Sequence, residues 1–312
     1  MSINYILRKS ALLLKKNSKV GIVCCSNGQS LYCEKDIEAL EKVLRNLELI
    51  PVFSEFIYVK KSIFSGTARQ RAEALMSFYR DDEIKVIFDI SGGDIANEIL
   101  PYLDFDIIAR SDKQFWGYSD LTTIINAIYA KTGKSSVLYQ LKNLVYEDDE
   151  NQIMSFRELI FDGSNSAGKG NNEEFLNKST IRQKLFSPSY QFVQKESMNG
   201  ILVGGNIRCL LKLAGTPYWP DMNGTILLLE GRGGEVPQMV TYLNQLKQMG
   251  VFEQINGILL GTFTTMEKNQ CAPDIVTLVK EYAGFNLPIA VTKEIGHGMD
   301  SKAIVIGENI LL

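Results

Sequence analysis

In the first half of the chain, short β-branched runs alternate with stretches of helical period, a pattern that predicts a parallel sheet wound by helices. Val20-Gly21-Ile22-Val23-Cys24-Cys25 is the apolar run of a buried strand, closed by Ser26-Asn27-Gly28. From Glu34 to Leu47, Ile37, Leu40, Val43 and Leu44 fall on one helical face. A second strand is expected over Ile50 to Phe53 and a second helix over Ala68 to Tyr79. A third strand, Lys85 to Ile90, runs into Ser91-Gly92-Gly93. A helix over Asn97 to Leu103, a short strand Gln114-Phe115-Trp116 and a helix from Leu121 to Lys131 complete this half.

Residues 147 to 180 are polar and glycine-rich without apolar periodicity, which predicts a connector. The expected organisation is an N-terminal domain over 1–150, a connector over 151–190 and a C-terminal domain over 191–312. In the last part, strands are predicted at Gly200 to Val203, Thr225 to Leu229, Gly257 to Leu260, Ile289 to Val291 and Ala303 to Ile306. Helices lie between them at Ile207 to Ala214, Pro237 to Met249 and Asp274 to Tyr282. The fold class is therefore α/β, and there is no internal repeat.

Composition narrows the function. The 312 residues are 45% hydrophobic and 22% charged, enough for two domains with real cores. Lys and Arg number 33 against 36 Asp and Glu, net −3, so no footprint for nucleic acid or anionic lipid exists and a small or neutral substrate is expected. Cys24, Cys25, Cys33, Cys209 and Cys271 are scattered without a C-x-x-C pair, and the chain has 1 histidine. Neither a disulfide framework nor a metal site is indicated, and no cofactor is called for. The segment Ile6 to Lys16 is broken by cations and makes a poor signal peptide. No apolar run approaches the roughly 18 residues a membrane span needs, so a cytoplasmic protein without membrane partners is expected.

The lone histidine, His297, lies between Gly296 and Gly298 and is the chain's single candidate for imidazole proton transfer. Ser119, in Gly117-Tyr118-Ser119-Asp120-Leu121, sits where a strand turns into a helix. Such a turn lifts the hydroxyl off the sheet edge and points the Asp120 N–H at a developing oxyanion. Gly117 permits a tight, strained bend. The same residues also fit a plain helix N-cap, and the last glycine of G-x-S-x-G is replaced by Leu121. Gly92 and Gly93 follow a buried strand, at the side where open α/β sheets bind ligands, and the Gly93 N–H is a second candidate oxyanion donor; a bare βα turn reads the same. Glu230 ends the apolar run Thr225 to Leu229 before Gly231-Arg232-Gly233-Gly234, where a carboxylate either orients an imidazole or sits solvated. All four features stand beyond strand ends and come from both halves, which predicts an active site between two domains.

At these residues the sequence resembles the LD-carboxypeptidase family of serine peptidases, which includes muramoyl-tetrapeptide carboxypeptidases and microcin C immunity proteins. The resemblance rests on Ser91-Gly92-Gly93 through Leu100-Pro101-Tyr102-Leu103-Asp104, Gly117 to Thr122, Gly204-Gly205-Asn206, Leu229-Glu230, Gly257 to Gly261 and Gly296-His297. It implies Ser119 as nucleophile, Glu230 and His297 as its partners, and Gly93 and Asp120 as backbone oxyanion donors. It also implies no metal, a Rossmann-like N-terminal domain, a smaller β-rich C-terminal domain and a homodimer. Gly92, Asp94, Tyr118 and Arg232 are the substrate-binding candidates.

Two stretches depart from the family pattern. Asp94-Ile95-Ala96 replaces a continuation as G-G-x-G or G-G-x-x-S, and Leu138-Tyr139-Gln140-Leu141 replaces a His-Gly-Pro-like segment. Asn126 to Gly133 resembles the microcin-immunity branch. The expected activity is hydrolysis of an amide near a peptide terminus, first of all an LD bond in a cell-wall-derived tetrapeptide. The alternatives are an amidase acting on peptidyl or aminoacyl nucleotides and a two-domain binding relative that does not cut. A nucleotide-dependent enzyme is disfavoured by the missing G-x-G-x-x-G.

Overall fold

A computed structural model describes residues 4–5, 14–146, 150–161 and 188–312. Its strands, in chain order, are β1 (Asn4–Tyr5), β2 (Lys19–Val23), β3 (Ile50–Phe53), β4 (Ile84–Asp89), β5 (Gln114–Gly117), β6 (Ser136–Leu138), β7 (Gln191–Gln194), β8 (Asn199–Asn206), β9 (Ile226–Gly231), β10 (Gly257–Phe263), β11 (Ile289–Val291), β12 (Ile304–Ile306) and β13 (Asn309–Leu311). Two compact units result, and they do not follow chain order. Among the described residues the first unit holds 14–121, 139–146 and 150–161; the second holds 4–5, 122–138 and 188–312. A cut through the connector alone therefore does not separate them, because 122–138 belongs with the C-terminal part.

In the first unit the strand order is β5-β4-β2-β3, every pair parallel. Val20, Ile22, Val86, Ile87 and Phe88 are all buried. Such continuous apolar runs, rather than alternating ones, suit a sheet covered on both faces. Helix Ala68–Arg80 begins at a capping box in which the Gln70 N–H donates to Thr67 Oγ1 and the Thr67 N–H donates to Gln70 Oε1. It packs so closely on β2 that a side chain at Gly21 would run into the Phe78 ring. Asn97 to Leu103, expected as an α-helix, is the tighter 3₁₀ form over Ala96–Tyr102, with Pro101 inside it; proline removes an N–H and clashes with the preceding α-turn. Asp104 then caps a short helix, Phe105–Arg110, that the periodicity did not reveal.

The expected connector 151–190 is in part structured. Helix Glu150–Ile160 buries Phe156 and Ile160 in the first unit. Phe156 meets Phe88, Trp116 and Tyr139 at centroid distances of 6.0, 6.0 and 6.2 Å. Fully burying one such side chain is worth about 1.5–3 kcal/mol. Residues 162–187 of the connector lie outside the described residues.

The second unit is a sheet in the order β1-β13-β8-β9-β10-β11-β7, parallel through β8, β9, β10 and β11 and antiparallel at its flanks. Strands β6 and β12 pair antiparallel within the same unit. The core joins Leu227, Leu229, Ile258 and Leu260 to Met239, Leu243 and Leu246 of helix Val236–Gln248. Helix Thr122–Thr132 enters this unit through buried polar groups. Asn126 clasps the backbone of one residue of β8, its Nδ2 donating to Gly204 O at 2.9 Å while its Oδ1 accepts from Gly204 N at 2.8 Å. Thr122 Oγ1 accepts from Asn206 N at 3.0 Å. Among the described residues no helix is long and apolar enough to cross a membrane.

Candidate active site

Strand β5 ends at Gly117, and Ser119 follows with φ of 55°, in the left-handed region. A non-glycine residue there carries strain that the surroundings must hold in place. The turn closes by Leu121 N–H donating to Tyr118 O at 2.9 Å, and a 3₁₀ turn over Ser119–Leu121 leads into helix Thr122–Thr132. Gly117 contributes space rather than an unusual φ: a Cβ there would stand 2.6 Å from that of Leu121. The strain expected at Gly117 is thus carried by Ser119 itself.

The glycine pair after β4 reaches the same place. A Cβ on Gly92 would lie 3.8 Å from Ser119 Cβ and 3.9 Å from Ser119 Oγ, so the Gly92 backbone faces the serine. Gly93 has φ of 121°, and any side chain on it would collide with the Asn27 amide. Asn27 pins this loop, its N–H donating to Gly92 O at 3.1 Å and its Oδ1 accepting from Asp94 N at 3.1 Å.

Beneath these loops lies a buried polar cluster. Asp89 Oδ2 accepts from Cys25 N at 2.8 Å, and Oδ1 accepts from Ser91 N at 2.8 Å and Ser91 Oγ at 2.6 Å. Burial raises the Asp89 carboxyl above the ordinary range, opposed by the hydrogen bonds from Ser91 and Cys25. Ser26 N donates to Ser91 Oγ at 2.9 Å. Arg71, fully buried, donates from Nη1 to Cys25 O at 2.5 Å and pairs through Nη2 with Glu98.

In the second unit Glu230 sits in β9 with no exposure, and its Oε2 stands 2.7 Å from His297 Nδ1. A carboxylate at this place accepts from the tautomer that carries its proton on Nδ1, which leaves Nε2 as the ring's acceptor. The histidine turn docks on β10 through Thr262 N–H donating to Ile295 O at 2.8 Å. Gly261 makes this approach possible, since a Cβ there would strike the Ile295 carbonyl and stand 3.0 Å from Glu230 Cβ. Glu230 Oε1 is buried with no hydrogen-bond partner among the described residues. Among those residues no group of three or more His, Cys, Asp or Glu is placed to hold a metal ion.

Residues 20–139 match the sequence profile of the LD-carboxypeptidase N-terminal domain, and residues 199–312 that of the LD-carboxypeptidase C-terminal domain. The chain belongs to the LD-carboxypeptidase family. The two matched regions contain, respectively, the Ser119 turn with its glycine loop and the Glu230–His297 pair. Among its relatives, the chain is similar to the microcin C7 self-immunity protein MccF of Escherichia coli, 28% identical over 63% of this chain and 61% of that protein. It is also similar to the murein tetrapeptide carboxypeptidase of Pseudomonas aeruginosa, 25% identical over 88% of each. A solved structure of MccF in complex with glutamyl sulfamoyl guanosine shares the fold, with a TM-score of 0.78 at 21% identity over 97% of both chains. Family membership places this chain among carboxypeptidase-type hydrolases.

Where the chain departs from the family pattern, the structure shows what replaces it. Asp94 is exposed at the rim of the glycine loop. Tyr139 is buried edge-on to Trp116 at 6.1 Å, with its hydroxyl 2.9 Å from Gln152 Oε1. Of the substrate-binding candidates, Gly92 faces Ser119, Arg232 is exposed two residues beyond Glu230, and Tyr118 is buried. Sequence reasoning missed Ser26, Asn27, Arg71 and Asp89. One signal was present: Arg71 falls in phase with the buried Leu75 and Tyr79 on the apolar face of its helix. A cation at such a position has to find partners inside.

Proposed function

We propose that the chain is a serine carboxypeptidase that removes the terminal residue of a cell-wall-derived tetrapeptide by cleaving an LD amide bond. The buried Glu230–His297 hydrogen bond, at 2.7 Å, is the observation that carries this reading. In it Ser119 Oγ attacks the scissile carbonyl carbon while His297 Nε2 takes the hydroxyl proton, and the backbone N–H groups of Gly93 and Asp120 receive the oxyanion. The C–N bond then breaks, the imidazolium protonates the leaving amine, and the acyl group stays on Ser119. Water that gives its proton to His297 hydrolyses this ester and restores the serine. Glu230 holds the ring in one tautomer and stabilises its charged form. A base so positioned is worth about 10²–10⁴-fold in rate, and oxyanion donors a comparable share.

The test is D-alanine release from a murein tetrapeptide by purified protein and by Ser119→Ala. The reading requires release that depends on Ser119; equal release from both proteins rules it out. A second reading, an amidase acting on peptidyl or aminoacyl nucleotides, is favoured by the stretch Asn126 to Gly133, which resembles the microcin-immunity branch. Cleavage of an aminoacyl sulfamoyl adenosine in the same assay, without D-alanine release, selects it. The same family reading makes the protein a cytoplasmic homodimer; sedimentation of the purified chain checks the dimer.

A further inference from the structure

Asp120 has two parts that matter, a backbone N–H and a carboxylate, and the carboxylate has no exposure. Its Oδ2 accepts from Ser26 Oγ at 2.6 Å and from Ala96 N at 2.9 Å. Ser26 follows β2, Ala96 follows the Gly92-Gly93 loop after β4, and Asp120 follows β5. A single carboxylate oxygen therefore ties together three loops at the C-terminal edge of the parallel sheet. Ser26 passes the connection on, its N–H donating to Ser91 Oγ, which in turn donates to Asp89. Arg71 adds hydrogen bonds to Cys25 O and Ser26 O from below.

We infer that the Asp120 carboxylate is a positioning group for the nucleophile turn, through its hydrogen bonds to Ser26 and Ala96. This rests on the reading of Ser119 as nucleophile and of the Asp120 and Gly93 N–H groups as oxyanion donors. The direction of the Asp120 N–H is set by the peptide plane it shares with Ser119, whose φ of 55° is strained. Strain of this kind persists only where neighbours over-determine the geometry. The second donor sits on a loop whose exit, Ala96, is bound to the same oxygen. Charge stabilisation by such donors depends on their being aimed before the reaction starts. Loss of the carboxylate leaves Ser119 its hydroxyl and leaves both donors their hydrogens. What it removes is their fixed mutual direction.

The experiment compares Asp120→Ala, Asp120→Asn and Ser26→Ala with wild type and Ser119→Ala. Each is assayed for the rate of labelling by a fluorophosphonate and for kcat and KM of D-alanine release, with thermal melts to confirm folding. Asp120→Ala is expected to slow labelling and lower kcat by about 10²–10³-fold, with KM changed less than about threefold. An asparagine amide oxygen in the place of Oδ2 can still accept from both Ala96 N–H and Ser26 Oγ, so Asp120→Asn is expected to return to within about tenfold of wild type. Ser26→Ala, which removes the Ser26 bond and keeps that from Ala96, is expected to lose about tenfold.

Folded Asp120→Ala labelling within about threefold of wild type overturns the inference, as does Asp120→Asn behaving like Asp120→Ala. If the alanine variant does not fold, Ser26→Ala decides, and a loss below about twofold overturns it. Labelling of wild type that does not exceed that of Ser119→Ala instead defeats the nucleophile reading itself. Labelling at Ser119 without D-alanine release leaves the fluorophosphonate arm to judge the positioning role.

Discussion

Glu230 Oε2 and His297 Nδ1 lie 2.7 Å apart although 67 residues separate them in the chain, and neither side chain is more than 7% exposed. A buried carboxylate on Nδ1 selects the tautomer whose Nε2 can accept a proton. Glu230→Gln keeps the shape but offers an amide whose NH₂ favours the other tautomer. The expected loss in kcat is about 10³–10⁴-fold with KM nearly unchanged, read by steady-state kinetics of D-alanine release.

Gly261 stands where β10 passes the histidine turn, and added bulk there meets the Ile295 carbonyl and Glu230 Cβ. Gly261→Ala is expected to cost about 1–3 kcal/mol in denaturant unfolding, because backbone atoms cannot step aside as a flexible side chain can. It is also expected to lower kcat by displacing the imidazole. A variant with wild-type stability and rate contradicts the packing described here.

A carboxypeptidase must recognise a free terminal carboxylate, and Arg232 is an exposed guanidinium two residues beyond Glu230. Guanidinium binds carboxylates through paired, charge-assisted hydrogen bonds. Arg232→Ala is expected to raise KM by about 10–100-fold with kcat less affected. An amidated substrate should bind both proteins equally weakly, and retention of wild-type KM by the variant excludes the role.

Glu294, three residues before His297, pairs with Lys302 Nζ at 2.8 Å and accepts from Ser189 Oγ at 3.0 Å. Burial by itself would raise its carboxyl, but the hydrogen bonds from Lys302 and Ser189 carry it below the ordinary range. A carboxylate with a lowered folded value contributes stability above its unfolded value and loses it as pH falls through the folded one. The melting-temperature difference between wild type and Glu294→Gln should be full near neutral pH and shrink below about pH 4. A difference independent of pH would falsify the ionic account.

Burial pushes the thiols of Cys24 and Cys25 well above their ordinary range, and Cys209 is also buried. Thiolate is the reactive form, so these three are expected to resist iodoacetamide in the native protein. Cys33 and Cys271, both partly exposed, should account for the modification seen by peptide mapping before unfolding.

Much of the parallel sheet was legible in the residues. The runs Val20 to Val23 and Val86 to Phe88 can be satisfied only by burial, and Ile37, Leu40 and Leu44 repeat at helical spacing. Helix Glu150–Ile160 is hidden in the sequence, because the acidic run before it masks the spacing of Ile153, Phe156 and Ile160. The α-form expected for Asn97 to Leu103 failed at Pro101, a local rule present in the sequence and outweighed there by apolar spacing.

Residue types at strand ends were likewise visible: a serine in a tight turn, a glycine pair, a terminal carboxylate and a lone histidine. Periodicity is a local quantity, and local order decides strands, helices and turns. Which atoms enclose Gly261, and that Arg71, Ser26, Ser91, Asp89 and Asp120 share one buried cluster, were settled by folding alone. Such contacts join positions 94 residues apart, as Ser26 and Asp120 are. Polar side chains keep their partners undeclared until burial removes water as the alternative.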